Sequence, residues 1–199
     1  KRVGRNDPRL TRKAALSYRN MLPPHAPPSF SDRSTLWNSV ELYEKAGNAQ
    51  LAREIDAALP IELSREEQIR LVREYCSSQF VSKGMCVDFA IHDTDSGNPH
   101  CHIMLTMRPL DERGAWAAKS KKEYDLDENG ERIRLPNGRY KTHKVDLTGW
   151  NDKGNALLWR KAWLIFQTAI LNAPEAQSVS TTAATPREEL TRYLLSTWA

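Results

Sequence analysis

His92, His100 and His102 fall within eleven residues of a chain that holds five histidines in all. In His100-Cys101-His102 the two imidazoles sit at i and i+2. On a strand both project from one face, while Cys101, Ile103, Leu105 and Met107 project from the other. Upstream, Val87, Phe89 and Ile91 alternate with Asp88, Ala90 and His92. The polar stretch from Asp93 to Pro99 contains Gly97-Asn98 and reads as the loop of an antiparallel hairpin. Folding on that loop brings His92 beside His100 and His102 at the hairpin mouth. Three neutral imidazole nitrogens can hold a divalent cation and leave coordination positions open, which suits a catalytic centre better than a structural one. One histidine on a polar strand face needs no role; three at matching positions on two strands call for one. Such ligands suit Mn, Zn, Ni or Cu, while Mg usually prefers oxygen.

Other side chains could serve the same chemistry. Thr106 and Arg108 share the parity of the histidines, and a guanidinium there could grip a phosphate bidentately; a solvated strand-end arginine is the plain alternative. Glu54 lies on the polar side of an alternating segment and could accept the second N–H of a metal-bound histidine, or be a surface carboxylate. Lys119, Lys121 and Lys122 form either a phosphate-binding patch or a solvated loop. Arg12 and Lys13, in a strongly basic stretch over residues 1–13, and Arg53, which interrupts an apolar face, are further candidates for DNA contact. Trp116 and Trp150 flank or lie in a polar region and are candidates for stacking on an unpaired base.

The elements that must position these residues are legible in outline. Ala14–Leu22 reads as a short strand, stopped by Pro23-Pro24-His25-Ala26-Pro27-Pro28. Ser31 or Asp32 caps a helix to about Ala46. Leu51–Leu59 alternates as a strand, with helix as the alternative because it holds three alanines. Ser64 and Glu67 make a capping box for a helix with Ile69, Val72, Cys76 and Phe80 inward. Residues 111–149 read as a flexible, partly hairpin insertion with Asn-Gly turns at Asn129-Gly130 and Asn137-Gly138. Asn155–Leu171 is an amphipathic helix with Leu158, Trp159, Ala162, Trp163, Phe166 and Ile170 inward. Residues 173–199 read as a linker and a short terminal helix over Arg187–Trp198.

Several segments together resemble the MobA/MobL family of relaxases. They are Gly97-Asn98-Pro99-His100-Cys101-His102-Ile103-Met104-Leu105-Thr106-Met107-Arg108-Pro109, the proline-rich run from Met21 to Pro28, Asp32–Asn38, and Gln50–Ile55 with Leu59-Pro60. Lys119–Tyr124 is similar to the family's basic stretch more loosely, and Cys101 replaces the usual middle hydrophobe of the His-hydrophobe-His motif. The resemblance covers about Leu10 to Leu171 and implies an α+β fold, a central antiparallel sheet flanked by helices, with a relaxase domain over residues 1–172. It implies site- and strand-specific nicking of single-stranded or hairpin DNA at the transfer origin of a plasmid or transposon. A tyrosine attacks a phosphodiester held at the metal, leaving a 5′-phosphotyrosine link and a free 3′-hydroxyl. It also implies relaxosome and coupling-protein partners. In the family the tyrosine precedes the Thr-Arg-Lys stretch matched by Thr11-Arg12-Lys13, which puts it ahead of Lys1; Tyr18 is the candidate within the chain. An origin-binding module without nicking activity and a water-using metal phosphodiesterase are the other readings.

Bulk properties agree with this class without demanding it. A net charge of +4 permits a nucleic-acid partner but does not require one. No apolar run reaches membrane-spanning length and the amino end lacks a secretory signal, so a bacterial cytoplasmic location is expected. Cys76, Cys86 and Cys101 are odd in number and scattered, as buried thiols are and a disulfide frame is not.

Overall fold

The computed structural model describes residues 17–93 and 98–173. Arg12, Lys13 and the expected terminal helix lie outside the described residues. Four strands, β1 (Ser17–Met21), β2 (Ala52–Ala58), β3 (Val87–His92) and β4 (His100–Thr106), make one antiparallel sheet in the order β1-β3-β4-β2. The hairpin strands β3 and β4 are therefore central. Every residue of β3 is buried, which explains its Val, Phe and Ile content: a strand covered on both faces needs apolar side chains throughout. Leu51–Leu59 resolves as strand, because β2 pairs with β4 along its whole length from Ala52↔Thr106 to Ala58↔His100.

Two helices, α2 (Arg65–Gln79) and α3 (Asn155–Leu171), cover one face. The Ser64–Glu67 capping box forms with both of its reciprocal bonds. Leu71, Val72, Tyr75, Cys76 and Phe80 meet Trp159, Phe166 and Ile170 in the main core, and the Tyr75 hydroxyl donates to the Trp159 carbonyl at 3.1 Å. Ile69 and Trp163 are half-buried and pack against this core as expected, but Leu158 is exposed, because α3 turns Trp159 inward instead.

The opposite face, which carries the histidines, is covered by α1 (Arg33–Tyr43) and the single 3-10 turn before it. Asp32 caps α1 by accepting from the Thr35 amide at 2.8 Å, and the helix ends at Tyr43, short of the expected Ala46. Phe30, Leu36, Trp37 and Val40 pack on Cys86, Ala90, Met104 and Leu110. Beneath them Asp88 is fully buried and accepts from Trp37 Nε1 at 2.8 Å and Arg33 Nε at 2.5 Å. Burial pushes its carboxyl up and the Arg33 guanidinium opposes that shift. This cluster fastens α1 to the sheet.

The 111–149 region holds the expected hairpin and Asn-Gly turns. β5 (Ser120–Tyr124) pairs with β6 (Thr142–Asp146), and bridges Leu126↔Arg132 and Arg134↔Tyr140 extend the ribbon. Gly130 and Gly138 take φ of 82° and 81°, the left-handed backbone that the two Asn-Gly turns require. All three thiols are free and buried, and burial pushes Cys101 up to about 12. No helix among the described residues is long and apolar enough to cross a membrane.

Candidate metal centre

The β3–β4 register sets His92 opposite His100 and Ala90 opposite His102. Alternation then puts all three imidazoles on one face at the hairpin mouth, as the spacing predicts. Ring centroids lie 5.5 Å (His92–His100), 4.8 Å (His92–His102) and 5.1 Å (His100–His102) apart. One ring nitrogen from each lies within 4.8 Å of the other two, a spread that a single ion can bridge.

Hydrogen bonding orients two of the rings. His102 Nδ1 donates to Asp56 Oδ1 at 2.5 Å, and His100 Nδ1 donates to the Asn98 carbonyl at 2.9 Å. A carboxylate and a carbonyl only accept, so the Nδ1 of each ring carries a proton, and the neutral tautomer that this selects presents the Nε2 lone pair to a ligand. His92 Nε2 is buried with no hydrogen-bond partner. An orphaned buried nitrogen is costly unless something fills its valence, and a cation shared with the other two rings would do so. Burial, then the neighbouring His102 and His100, lower the His92 pKa and hold it in the neutral form that can ligate. The donor set therefore fits a divalent metal. His92, His100 and His102 would hold it, and three nitrogens leave positions for substrate oxygen.

Asp56 was missed by the sequence reading, which chose Glu54 to orient a histidine. Both carboxylates lie on the histidine side of β2, but the register sets Asp56 opposite His102 and Glu54 opposite Met104. Glu54 Oε1 stands 3.4 Å from the same Nδ1, so it flanks the contact that Asp56 makes directly. Parity could have found Asp56, since it lies two residues beyond Glu54; only the register ranks them. Asp56→Ala is expected to weaken metal binding by about 10- to 100-fold, the usual cost of losing such a partner, and Glu54→Ala by less. Competition with a chromogenic chelator measures this, and a larger loss in Glu54→Ala would reverse the ranking.

The other candidates disperse. Arg53 is on the opposite side of β2. There it donates to the Trp150 carbonyl and Asn151 and lies over the Trp159 ring, so it ties the sheet to the segment before α3 and does not face the histidines. Strand parity lapses after Thr106. Arg108 lies six residues beyond His102, about 20 Å along a strand, where its Nε donates to Glu44 at 2.8 Å and its guanidinium covers Tyr43. Lys119 joins the same carboxylate at 3.0 Å; burial would raise Glu44, but Arg108 and Lys119 outweigh it and the pKa is lowered. Lys121 pairs with Glu123 on the ribbon, and Lys122 sits exposed opposite Lys144. Trp116 is half-buried, stacks on Phe30 and donates its N–H to Ser39, whereas Trp150 is buried in the main core. Tyr18 pairs with Ala90, and Ala90 with His102, which puts its backbone two strands from His102 in the same cross-strand row, beside the strand that carries His92.

The MobA/MobL family model matches residues 4–181. The chain belongs to the MobA/MobL family. Among curated relatives, the conjugal transfer protein TraA of Rhizobium radiobacter is 38% identical over 140 residues, 65% of this chain and 12% of that protein. A probable mobilization protein MobA of Bifidobacterium longum is 36% identical over 141 residues, 69% of this chain and 25% of its own length. The chain thus spans a quarter or less of these relatives. A solved structure, described as the molecular basis of vancomycin resistance transfer in Staphylococcus aureus, superimposes with a TM-score of 0.65. It is 29% identical, over 85% of this MobA/MobL chain and 76% of the other. The antiparallel sheet with flanking helices is thus the fold of a solved relative as well as of this chain.

Proposed function

We propose that this chain, over residues 1–172, carries the metal centre of a bacterial cytoplasmic enzyme that nicks and rejoins one DNA strand at the transfer origin of a mobile element. The observation that carries the reading is the three-histidine face, backed by Asp56, on the central hairpin of a MobA/MobL chain. Relatives named for conjugal transfer and mobilization support origin DNA as the substrate and relaxosome components as partners. A bound divalent ion would supply charge neutralisation at the scissile phosphate. The chain's own residues do the positioning. His92, His100 and His102 present their nitrogens together, while Asp56 fixes the His102 tautomer and ring plane. Deep burial of Cys101 beneath them gives the histidine strand a rigid footing.

The attack is by a tyrosine, which leaves a 5′-phosphotyrosine and a free 3′-hydroxyl and so conserves the bond for rejoining. Supercoiled origin plasmid incubated with the full-length protein is expected to be nicked and to carry covalent protein on the 5′ end in a denaturing gel. A chelator should abolish both, and added Mn, Mg, Zn or Ni should reveal which ion restores them. Turnover without an adduct would mean water attack, and binding that survives chelation without nicking would mean a recognition module. Tyr18→Phe that keeps the adduct would assign the attack to another tyrosine.

A further inference from the structure

The loop that separates His92 from His100 is tied at both ends to one corner of the fold. At one end, the Leu59 amide donates to the carbonyl of Pro99, the residue before His100, at 2.9 Å. Pro99 is buried and its ring fixes φ, so the chain enters β4 along one path. At the other end, Asp93, the residue after His92, accepts from Arg65 Nη2 at 2.9 Å. Arg65 opens α2, and its Nη1 donates to Gln68 Oε1 at 2.8 Å, one helical turn on. Gln68 is only 4% exposed, and its Nε2 donates to the Pro60 carbonyl at 3.1 Å. A guanidinium only donates and a carbonyl only accepts, so the Gln68 amide has one orientation and uses both of its groups. Leu59 and Pro60 are adjacent, so the two chains of bonds start together and end on the residues beside His100 and His92.

We propose that Arg65 and Gln68 are positioning residues for the metal centre. By holding Asp93 to the corner that also holds Pro99, they close the hairpin mouth and keep His92 within reach of the ion shared with His100 and His102. The inference rests on the three-histidine reading of the site. Asp56 sets the His102 ring and the Asn98 carbonyl sets His100, whereas the buried His92 Nε2 has no hydrogen-bond partner. The backbone beside His92 therefore carries more of its placement. Arg65 and Asp93 keep 28% and 29% of their side-chain surface exposed, so their pairing adds little to global stability. Its effect falls on the loop: without the clamp, ion binding must also order the hairpin mouth, which weakens it.

Zinc affinity of the full 199-residue chain, measured against a chromogenic chelator, tests this beside thermal unfolding of the metal-free protein. Arg65→Ala is expected to weaken zinc binding about tenfold and to move the metal-free midpoint by no more than about two degrees. Asp93→Ala should also weaken binding, and the double variant should lose no more than the larger single loss, because both changes remove one link. Arg65→Lys, which can reach Asp93 but cannot span both partners, should recover part of the affinity. Parent affinity in Arg65→Ala would overturn the proposal, as would full addition of the two losses. Affinity lost only together with a large fall in the metal-free midpoint would reduce the pair to a fold contact and overturn it too. Parent affinity in His92→Ala is a separate result: it would remove the three-histidine reading, and the proposal with it.

Discussion

His100→Ala is expected to lower origin nicking by about a thousandfold and to leave the fold intact. Removing one nitrogen of three costs the ion its site, and an ion at a phosphoryl centre contributes several kcal/mol; about 4 kcal/mol is a thousandfold in rate. His100 opens β4 and is only half-buried, and its Nδ1 bond reaches no further than the Asn98 carbonyl, so truncation there leaves a small local gap. Initial nicking rates on supercoiled plasmid, with metal binding by calorimetry and unfolding by circular dichroism, provide the check. Nicking within about tenfold of the parent rate, with metal binding lost, would separate the histidines from the chemistry.

Asp88→Ala should produce the largest stability loss. The carboxylate is fully buried and is the partner of both Arg33 Nε and Trp37 Nε1. Its removal strands a guanidinium and an indole N–H at the interface between α1 and the sheet. Breaking one side of such a pair costs about 3 kcal/mol or more, which in a domain of this size lowers Tm by about 10 °C. Replacing both members, Arg33→Leu with Asp88→Leu, should recover much of the loss, because no charge is then left alone. Thermal unfolding of the three proteins decides it; equal Tm for Asp88→Ala and the parent would mean the pair carries no net stability. Nicking by Asp88→Ala below its unfolding range should stay near the parent rate, since Asp88 aligns with Met104 and not with the histidines.

The Arg108 and Arg53 outcomes mark where sequence reasoning stops. Parity put Arg108 with the histidines, and parity is sound only while the chain stays extended; β4 ends at Thr106 and the guanidinium turns to Glu44. Arg53 broke the apolar pattern of β2 and looked like a ligand-facing charge. The structure gives it a structural partner set that no local pattern announces, because Trp150, Asn151 and Trp159 lie about a hundred residues away. Trp150 failed as a base-stacking candidate for the same reason: polar neighbours in sequence do not reveal that it is buried in the main core.

What the residues themselves determined is the local chemistry. Period two, β-branched and aromatic content and a polar loop define the β3–β4 hairpin, and one histidine at each matching position makes the three-nitrogen face. The Ser64–Glu67 cap and the Asn-Gly turns were equally readable, since each depends on residues a few positions apart. Only the tertiary structure decided which carboxylate serves His102, which face Arg53 occupies and where Arg108 goes. Those outcomes depend on strand order and register between segments far apart in sequence. A shift of one residue in the β2–β4 pairing would have turned Asp56 away from His102. Such a register is fixed by the packing of Ile55 and Ala57 into the main core, and the local sequence of neither strand specifies it alone.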